Sequence, residues 1–483
     1  TPAMDMLNLM GVSADTLGNH NFDRGQDYLR HTLIPIAHFP YLSANVVDAG
    51  GNTPAEWTPS HVFDFGGQKL GVIGFELPDL TSLVFPGNVD PFHVTDPATA
   101  INAEAVNLHS QGVNAIVAAG HMGMSGGTIF APDPSGAASP VFPVADALSG
   151  VDAIVGGHTH TEYVTWRNGM SVTENQNATA RFTRVRLVID KSTGGVIYET
   201  ADFHRPWDIG VTPDPTIQAE ITNLNAQLAP ILSGVIANST VYVPRSDSCS
   251  INTGRIDGRG CESLVGDTVA DAMLSTYSGI GADFAITNSG GLRADLTCPT
   301  VDVPGDFCAA YSPPPYPITK GSVLGVLPFG NLSTTTPLHG DGLKAMLENG
   351  VSLIGNGPTP NTSQGRFPQI SGLCFTYDIT QNPGSRVTSA VFANADGSCG
   401  ATPVDLTAGS PEYVVVQNDF MMTGGDGYPN VKATSTTQNL MDQDVATYLQ
   451  NHVQPVAPVI QGRITCVHGG GPNPTNACPV TNP

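Results

Sequence analysis

Three polar side chains that could bind a metal or transfer a proton lie close together near the start of the chain, in the segment TLGNHNFDRG. They are Asn19, His20 and Asp23, and glycines flank them on both sides. An amide oxygen and an imidazole can coordinate a first-row divalent metal such as zinc or manganese. A carboxylate close to a histidine can hold the imidazole in one tautomer and raise its pKa, which suits proton transfer. The segment therefore predicts metal-assisted or acid–base chemistry.

Two later segments add histidines in the same kind of context. VNAIVAAGHMG contains His121, and VDAIVGGHTH contains His158 and His160. Each histidine follows a short apolar run that predicts a buried strand. Ligands of open α/β sheets bind at the carboxyl ends of the strands, and glycine lets the backbone approach a bound group closely. One histidine after a strand is usually structural, but three such turns in one chain predict a metal site.

The elements that would position these turns alternate between strand and helix over residues 1–205. Apolar runs predict buried strands, as in Gln68–Leu77, and the alternating run Arg181–Asp190 predicts a half-exposed strand. Between them, DPATAINAEAVNLHSQG predicts a helix that is capped by Asp96 and ends at Gly112. The order of strand, helix and strand favours an α/β layer domain.

Length and charge limit the class of protein. A chain of 483 residues is too long for one ordinary core, so we expect two domains. The formal net charge of −23 argues against nucleic acid or an anionic membrane as a partner, because both require positive surface. No run approaches the roughly 18 apolar residues of a membrane span. A phosphate substrate would need local positive charge from metal ions or a few arginines.

All eight cysteines lie after residue 248. Their even count and short separations favour disulfides between neighbours, which implies an oxidising compartment. The predicted pairs are Cys249–Cys261, Cys298–Cys308, Cys374–Cys399 and Cys466–Cys478. The alternative is a scatter of free thiols.

The chain divides into four regions by composition. Residues 1–205 form the first domain, and 206–240 form a linker whose segment Asp214–Ile236 predicts a bridging helix. Residues 241–465 form a second domain of mixed pattern. Residues 466–483 are a tail rich in glycine, proline and asparagine, in which we expect little burial.

Motifs in both halves of the chain are similar to those of one family. GNHNFD, GHMG and GGHTH resemble the calcineurin-like metallophosphoesterases. ITNSGGLRADL (Ile286–Leu296), VLPFGNLSTTTPLHGDGLKAMLENG (Val326–Gly350) and NDFMMTGGDGYP (Asn418–Pro429) resemble the C-terminal domain of the 5'-nucleotidase branch. The resemblance covers nearly the whole chain. It implies an α/β fold class: a metallophosphatase α/β/β/α sandwich followed by a second, mixed α/β nucleoside-binding domain.

The resemblance assigns roles to the histidine turns. It implies two divalent metal ions, of the zinc, manganese, magnesium or calcium kind, that activate a water and neutralise phosphate oxygens. The metal ligands that it implies are Asn19, His121 and His158 for one ion and His160 for the other. His20 matches the histidine that stabilises the transferring phosphoryl group or protonates the leaving oxygen, and Asp23 matches its orienting partner.

The resemblance also implies a nucleoside site in the second domain. Aromatic faces stack on flat bases, and a planar guanidinium suits phosphate oxygens. The implied substrate-binding residues are Phe329 and Phe420 for stacking, Arg293 for the phosphate, Asn288 for the base and Asp426 for the ribose hydroxyls. Cys261 stands where some members of the family carry an arginine before the glutamate, which leaves the preference for monophosphates open.

One expected motif is absent from this sequence. The family begins its phosphatase domain with an Asp-x-His-Gly strand and a Gly-Asp turn, which supply further metal ligands. The only Asp-x-His here is Asp202–His204, which lies on the wrong side of the domain and lacks the glycine. We therefore expect an incomplete sequence, or a cleaved chain with an associated N-terminal fragment.

The sequence thus predicts a two-metal 5'-nucleotidase that is secreted, periplasmic or at the cell surface. Its expected reaction releases phosphate from a nucleoside monophosphate, and UDP-sugars and cyclic nucleotides remain open as substrates. The alternative is a catalytically impaired nucleotide-binding or surface structural protein on the same scaffold. The sequence does not indicate an oligomeric state.

Overall fold

The structure is a computed structural model that describes most of the chain. The described residues are 1–124, 127–128, 131–132, 139–176, 179–206, 210–245, 259–301, 303, 306–355 and 364–479. The chain divides into two compact units, Thr1–Ile221 and Thr222–Pro483. The boundary falls within the segment that the sequence predicts as a bridging helix.

The first unit alternates strands and helices along the chain. Its strands are β1 (Asp15–Thr16), β2 (Tyr41–Leu42), β3 (Val46–Val47), β4 (Ser60–Asp64), β5 (Lys69–Glu76), β6 (His93–Val94), β7 (Ala115–His121), β8 (Gly127–Thr128), β9 (Ala131–Pro132), β10 (Ala153–Val155), β11 (Glu162–Arg167), β12 (Met170–Asn175), β13 (Phe182–Ile189) and β14 (Val196–His204). Its helices are α1 (Pro2–Leu9), α2 (Gly25–Tyr28), α3 (Pro97–Ser110) and α4 (Val141–Ala147), with 3₁₀ turns at Asn19–Phe22, Ile34–Ile36 and Leu80–Ser82 and a π turn at Leu29–Leu33.

The main sheet of the first unit has a parallel centre and antiparallel edges. Within the described residues its order is β11-β12-β10-β7-β5-β4. The four central strands run parallel, and β4 and β11 pair antiparallel at the two edges. Buried apolar runs on β5 and β7 confirm the predicted strands, since parallel strands are covered on both faces. In β13, half-buried and exposed positions alternate as the sequence predicts.

Helix α3 shows how local sequence fixes an element's ends. Asp96 accepts a hydrogen bond from the backbone N–H of Thr99 at 2.7 Å, and Pro97 occupies the first helical position. After the helix, Gly112 has a φ of +76°, a left-handed conformation that glycine adopts without strain. Ile101, Ala105 and Leu108 are buried in the core against the sheet. The predicted helix is confirmed.

The described residues of the second unit form three sheets. Helix α5 (Pro215–Leu232) precedes its other elements and contains Pro230 in its last turn. The helices that follow are α6 (Leu264–Tyr277), α7 (Lys320–Val326), α8 (Gly340–Val351), α9 (Asp419–Met422) and α10 (Met441–Asn451), and 3₁₀ turns lie at Ser278–Ile280, Ser289–Gly291, Gly425–Gly427 and Lys432–Thr434. The strands are β15 (Val235–Ser239), β16 (Phe284–Asn288), β17 (Tyr316–Thr319), β18 (Leu332–Leu338), β19 (Pro368–Ser371), β20 (Leu373–Asp378), β21 (Val387–Ala393), β22 (Cys399–Pro403), β23 (Tyr413–Asn418), β24 (Thr436–Leu440) and β25 (Ile464–Val467). Among the described residues, no helix combines the length and apolar character needed to cross a bilayer.

The two larger sheets of the second unit have the orders β19-β16-β23-β18-β24 and β22-β21-β20-β25 in the described chain. Strand β15, within the range predicted as linker, pairs antiparallel with β17. The tail also contributes structure, because β25 pairs with β20 and Asn476 donates to the carbonyl of Ile379 at 3.2 Å. The structure therefore buries part of a tail in which little burial was expected. The α/β class predicted for both domains is confirmed.

Disulfides join neighbouring cysteines of the second unit. The bonds Cys298–Cys308, Cys374–Cys399 and Cys466–Cys478 are present among the described residues, as predicted. The fourth predicted pair includes Cys249, which lies outside them. Cys374–Cys399 joins β20 to the edge strand β22, and Cys466–Cys478 joins the edge strand β25 to the tail. Loop closures of this length stabilise mainly by restricting the unfolded chain.

A buried acid lies at the start of α6. Asp267 is 3% exposed, and its Oδ1 lies 3.8 Å from Nη1 of Arg463. Arg463 itself forms two shorter hydrogen bonds to Asp271, at 2.7 and 2.9 Å. Burial, and secondly the charge of Glu262, raise the pKa of Asp267 well above its ordinary value, against the opposing effect of Arg463. The fold therefore favours the protonated form of Asp267.

The substitution Asp267→Asn should become more favourable as the pH rises. In the unfolded chain the carboxyl loses its proton near about pH 4. The stability that its raised folded pKa provides is complete below that pH and is lost as the pH rises through the folded value. Asparagine has no proton to lose, so the melting temperature of the variant minus that of the parent should increase between pH 4 and 8, by about 2 °C or more. Thermal melts across this range measure the difference.

The matched control is Asp271→Asn. It removes a carboxylate oxygen from the guanidinium of Arg463 and should lower the melting temperature at neutral pH. A difference for Asp267→Asn that stays flat or falls with rising pH would contradict the protonated state of Asp267.

Candidate functional site

The parallel pairing of β7 with β10 brings two of the predicted histidines together. Val155 of β10 aligns with Ala119 of β7, so the two strands end at the same edge of the sheet. His121 is the last residue of β7, and His158 follows three residues after β10. Their ring centroids lie 5.0 Å apart in an edge-to-face arrangement. His160 lies two residues further along the same turn.

His121 is held as a neutral imidazole. Burial is the largest cause, and the charges of His158 and His20 add to it, lowering the pKa of His121 to about 3. A neutral ring keeps a lone pair that can coordinate a metal. Gly18 packs directly against this ring, since a Cβ atom at residue 18 would lie 2.9 Å from its Cγ. The glycine before Asn19 is therefore required by close packing.

Asn19 has a buried side-chain oxygen. The residue is 6% exposed and begins the 3₁₀ turn Asn19–Phe22. Within the described chain its Oδ1 is buried and has no hydrogen-bond partner. A buried unsatisfied acceptor is costly, and such exceptions call for an explanation such as a missing ion. Asn21, in the same turn, accepts a hydrogen bond from the backbone N–H of Gly18 at 2.8 Å and so fixes the turn.

His20 and Asp23 form the pair that the sequence predicts. The distance between His20 Nδ1 and Asp23 Oδ2 is 3.0 Å, and both side chains are partly exposed. Asn88 fixes the backbone beneath them by donating to the carbonyl of Phe22 at 2.8 Å and to that of Asp23 at 3.1 Å. This arrangement can orient an imidazole toward a ligand.

These residues fit a divalent metal. The neutral imidazole of His121, the neighbouring ring of His158 and the unsatisfied amide oxygen of Asn19 supply the donor types that zinc or manganese prefers. Counting only histidine, cysteine, aspartate and glutamate, the described residues contain no group of three placed to hold a metal. Asparagine is not one of these four residue types. The candidate ligand set of Asn19, His121 and His158 therefore contains only two residues that this count includes.

The turn that contains His158 and His160 has an unusual backbone. Both histidines have left-handed φ values, 78° and 58°. Such conformations are uncommon for residues other than glycine and cluster at functional sites, where the surrounding structure must hold them. Glu174 of β12 contacts this turn, and sequence reasoning did not identify it. No local motif marks Glu174, because its contacts depend on how β12 lies beside β10.

In the second unit, the structure joins two predicted substrate residues directly. Asn288 Nδ2 donates to Asp426 Oδ2 at 2.7 Å. Asn418, at the end of β23, donates to Asn288 Oδ1 at 2.9 Å and also accepts from the N–H of Met421, which caps α9. Asp426 is buried and has a left-handed φ of 54°. This chain of amides holds the carboxyl of Asp426 in one place.

The pKa of Asp426 reflects opposing effects. Burial raises it, while the hydrogen bond from Asn288 and the charges of Arg366 and Arg259 lower it, and the net direction is upward. Arg366 also donates to Asn349 Oδ1 at 3.3 Å. Arg366 was not predicted as a site residue from the sequence. It lies far from Asp426 along the chain, and only the folded structure brings the two side chains close enough to interact.

The two predicted stacking residues lie in neighbouring segments. The guanidinium carbon of Arg293 lies 5.7 Å from the ring centroid of Phe329, which is 40% exposed. The ring of Phe420 packs against Gly425, where an added Cβ would lie 2.4 Å from its Cε2. A hydrogen bond of 2.9 Å from Asn331 Nδ2 to Asp419 Oδ1 ties the segment after Phe329 to the helix that carries Phe420.

The chain matches known proteins over both units. Residues 235–433 match the family model of the 5'-nucleotidase C-terminal domain. The chain is 29% identical to the cell wall protein Lmo0130 of Listeria monocytogenes, over 93% of this chain and 56% of that protein. It is 24% identical to the 5'-nucleotidase of Diplobatis ommata, over 98% of this chain and 79% of that protein. It thus spans little more than half of the Listeria relative.

A solved structure agrees with the sequence matches. The 5'-nucleotidase precursor of Thermus thermophilus is similar, with a TM-score of 0.78 at 26% identity, over 96% of this chain and 86% of that one. The fold is therefore that of a metallophosphoesterase domain followed by a second mixed α/β domain. Residues 235–433 match the 5'-nucleotidase C-terminal domain, and the similarity to 5'-nucleotidases over both units confirms the resemblance of the motifs.

The substitution Gly18→Ala should weaken metal binding without unfolding the protein. Gly18 has an ordinary extended φ of −138°, so alanine causes no backbone strain, but its Cβ would displace the His121 ring. We expect the dissociation constant for Co²⁺ to rise by about tenfold, the scale of effects on ligand orientation. Titration of the metal-free protein, followed by absorbance, measures this constant.

The control is Gly195→Ala, where the added Cβ meets Thr193 Oγ1 at an ordinary 3.6 Å. Equal Co²⁺ affinity in both variants would show that His121 does not need its present position.

Proposed function

We propose that this protein is a metal-dependent phosphoester hydrolase that releases phosphate from a nucleoside monophosphate. Support comes from the family, whose named relatives include 5'-nucleotidases, and from the two sites. The observation that carries the proposal is the unsatisfied Oδ1 of Asn19, next to the glycine that packs on the neutral ring of His121. That combination suits a metal ion better than a purely structural turn.

The proposed metal ligands are those that the sequence indicates. Asn19, His121 and His158 would hold one divalent ion, and His160 would contribute to a second. When bound, the metal pair would supply Lewis-acid activation of a water and neutralise phosphate charge. The imidazole and amide donors favour zinc or manganese over magnesium or calcium.

His20 is the proposed proton donor. Its Nδ1 faces Asp23 at 3.0 Å, which fixes the tautomer and leaves Nε2 as the ring atom that would hold a proton near the leaving oxygen. In phosphoryl transfer, most catalysis comes from positioning and charge stabilisation, and this pair supplies part of both.

The proposed nucleoside site occupies the second unit. Phe329 and Phe420 would stack on the base, at about 1–3 kcal/mol for each base–aromatic stack. Asn288 would contact the base, and Arg293 would contact the phosphate. The carboxyl of Asp426, held by Asn288, would accept hydrogen bonds from the ribose hydroxyls. Such an acid on ribose hydroxyls recurs in nucleotide sites.

We also propose that the protein acts outside the cytoplasm, as a secreted, periplasmic or cell-surface enzyme. The disulfides of the second unit require an oxidising compartment, and one relative is named a cell wall protein.

The strongly negative net charge suits a small nucleotide bound at a metal site better than a nucleic acid partner.

The substitution His20→Ala should lower kcat for AMP hydrolysis by about 10²–10⁴-fold, because it removes the general acid. The Kd for AMP, measured by calorimetry in the presence of Mn²⁺, should change by less than about threefold. The matched control is His31→Ala, since His31 is also exposed and also lies near a carboxylate, 3.8 Å from Asp27. AMP binding without turnover in the unaltered protein would instead support a nucleotide-binding role.

The substitution Gly425→Ala should weaken nucleoside binding. Its Cβ would lie 2.4 Å from the Phe420 ring and would force the ring to move. We expect about tenfold weaker binding of adenosine by calorimetry, the loss of part of one base–aromatic stack. Gly279→Ala is the control, because nothing lies within 4 Å of its Cβ. If both variants bound adenosine like the parent, Phe420 would not be a stacking residue.

A further inference from the structure

Glu174 is a buried carboxyl group to which neither the motifs nor the proposed reaction assigns a role. It lies on β12, next to β10 in the sheet, and is 1% exposed. Its Oε2 accepts hydrogen bonds from Thr159 Oγ1 at 2.5 Å and from Thr161 Oγ1 at 3.0 Å. The backbone N–H of Met124 donates to the same oxygen at 3.3 Å. One oxygen therefore contacts both the turn after β7 and the turn after β10.

The packing around this oxygen is too tight for any side chain at residue 123. A Cβ on Gly123 would lie 2.0 Å from Glu174 Oε2, 2.4 Å from the carbonyl oxygen of Gly157 and 2.4 Å from Thr159 Oγ1. The two turns thus meet at the carboxyl group with no space between them. Glycine at this position allows Glu174 to reach both turns.

The turn that Glu174 contacts is the one that needs external support. Thr159 lies between His158 and His160, whose left-handed φ values of 78° and 58° are unfavourable for residues other than glycine. The backbone N–H of His160 also donates to Glu174. The hydroxyls of Thr159 and Thr161 and the amide of His160 thus tie three successive residues of the turn to one carboxyl group.

We propose that Glu174 is a positioning residue that fixes the His158-Thr159-His160 turn for metal ligation, an inference that rests on the proposed metal-dependent function. The accepting oxygen Oε2 performs this role through its hydrogen bonds to the turn. Residues that orient metal ligands in this way commonly affect metal affinity by about 10–100-fold when they are replaced. The proposed role of Glu174 is exerted through the turn, so it differs from the role proposed for His20.

The test compares Glu174→Met with Glu174→Gln. Methionine has a similar shape and no strong acceptor, whereas glutamine keeps one accepting oxygen. We expect the dissociation constant for Co²⁺ to rise at least about tenfold in Glu174→Met and by less than about threefold in Glu174→Gln. The absorption bands of bound Co²⁺ should also change in Glu174→Met, because they report ligand geometry. Melting of the metal-free proteins separates loss of stability from loss of affinity.

The matched control is Thr173→Val on the same strand. Thr173 is fully buried, and its hydroxyl has no hydrogen-bond partner in the described part of the chain, so valine should leave Co²⁺ affinity unchanged. If Glu174→Met does not fold, Thr159→Val takes its place, because it removes the shortest hydrogen bond to Glu174 and should raise the Co²⁺ dissociation constant about threefold or more.

The outcomes separate this inference from the proposed function. A folded Glu174→Met variant with parental Co²⁺ affinity and spectrum would overturn the positioning role, and so would absence of Co²⁺ binding by the unaltered protein. Co²⁺ binding that depends on Glu174, in a protein that hydrolyses no nucleotide, would support the positioning role and refute the proposed hydrolase activity.

Discussion

The parallel pairing of β7 with β10 is the interaction on which the first site depends. Because the strands run in the same direction and in register, their carboxyl ends deliver His121 and His158 to one edge of the sheet. An antiparallel arrangement would send the two turns to opposite edges. The pairing also places the glycine-containing turn after β7 beside the glycine-containing turn after β10. This explains why the backbone at Gly123 lies so close to that of Gly157. The strand order and direction of the sheet thus determine where the site lies, and the side chains determine what it can bind.

Polar atoms in this site fall into two kinds. The oxygen of Asn19 is buried and unsatisfied in the described chain, and burial keeps His121 neutral, so both can accept a positive ion. Glu174 Oε2 has the opposite character, since it accepts several hydrogen bonds from the turns around it. An atom whose hydrogen-bonding capacity is already used supports the turn, whereas an unused acceptor can still bind a ligand. An unused acceptor is not sufficient evidence of ligation, because Glu174 Oε1 and Thr173 Oγ1 are also buried without a partner among the described residues. At Asn19 the neutral ring of His121 supplies the second observation.

The sequence predicted the features that depend on local pattern. The strands before His121 and His158, the capped helix α3 and three of the four predicted disulfides follow from short-range spacing and are confirmed. The contacts of Glu174 and Arg366 could not be predicted, because they join residues that only the sheets bring together. The burial of the tail was also missed, since its asparagines and glycines bind backbone and side-chain groups of β20 and the loop after it instead of filling a core.

The predicted sites of the two units share one physical feature, which is a strained backbone conformation at a residue other than glycine. His158, His160 and Asp426 are non-glycine residues with left-handed φ values, and each is a predicted site residue. Such a conformation gives the side chain a direction that regular helix or strand backbone does not provide. The cost requires nearby compensation. In the first unit, Glu174 provides it through hydrogen bonds to the turn, and in the second, Asn288 and Asn418 provide it for Asp426. Glycine-rich motifs mark where such turns occur, but only the tertiary structure shows which non-glycine residue bears the strain and what holds it there.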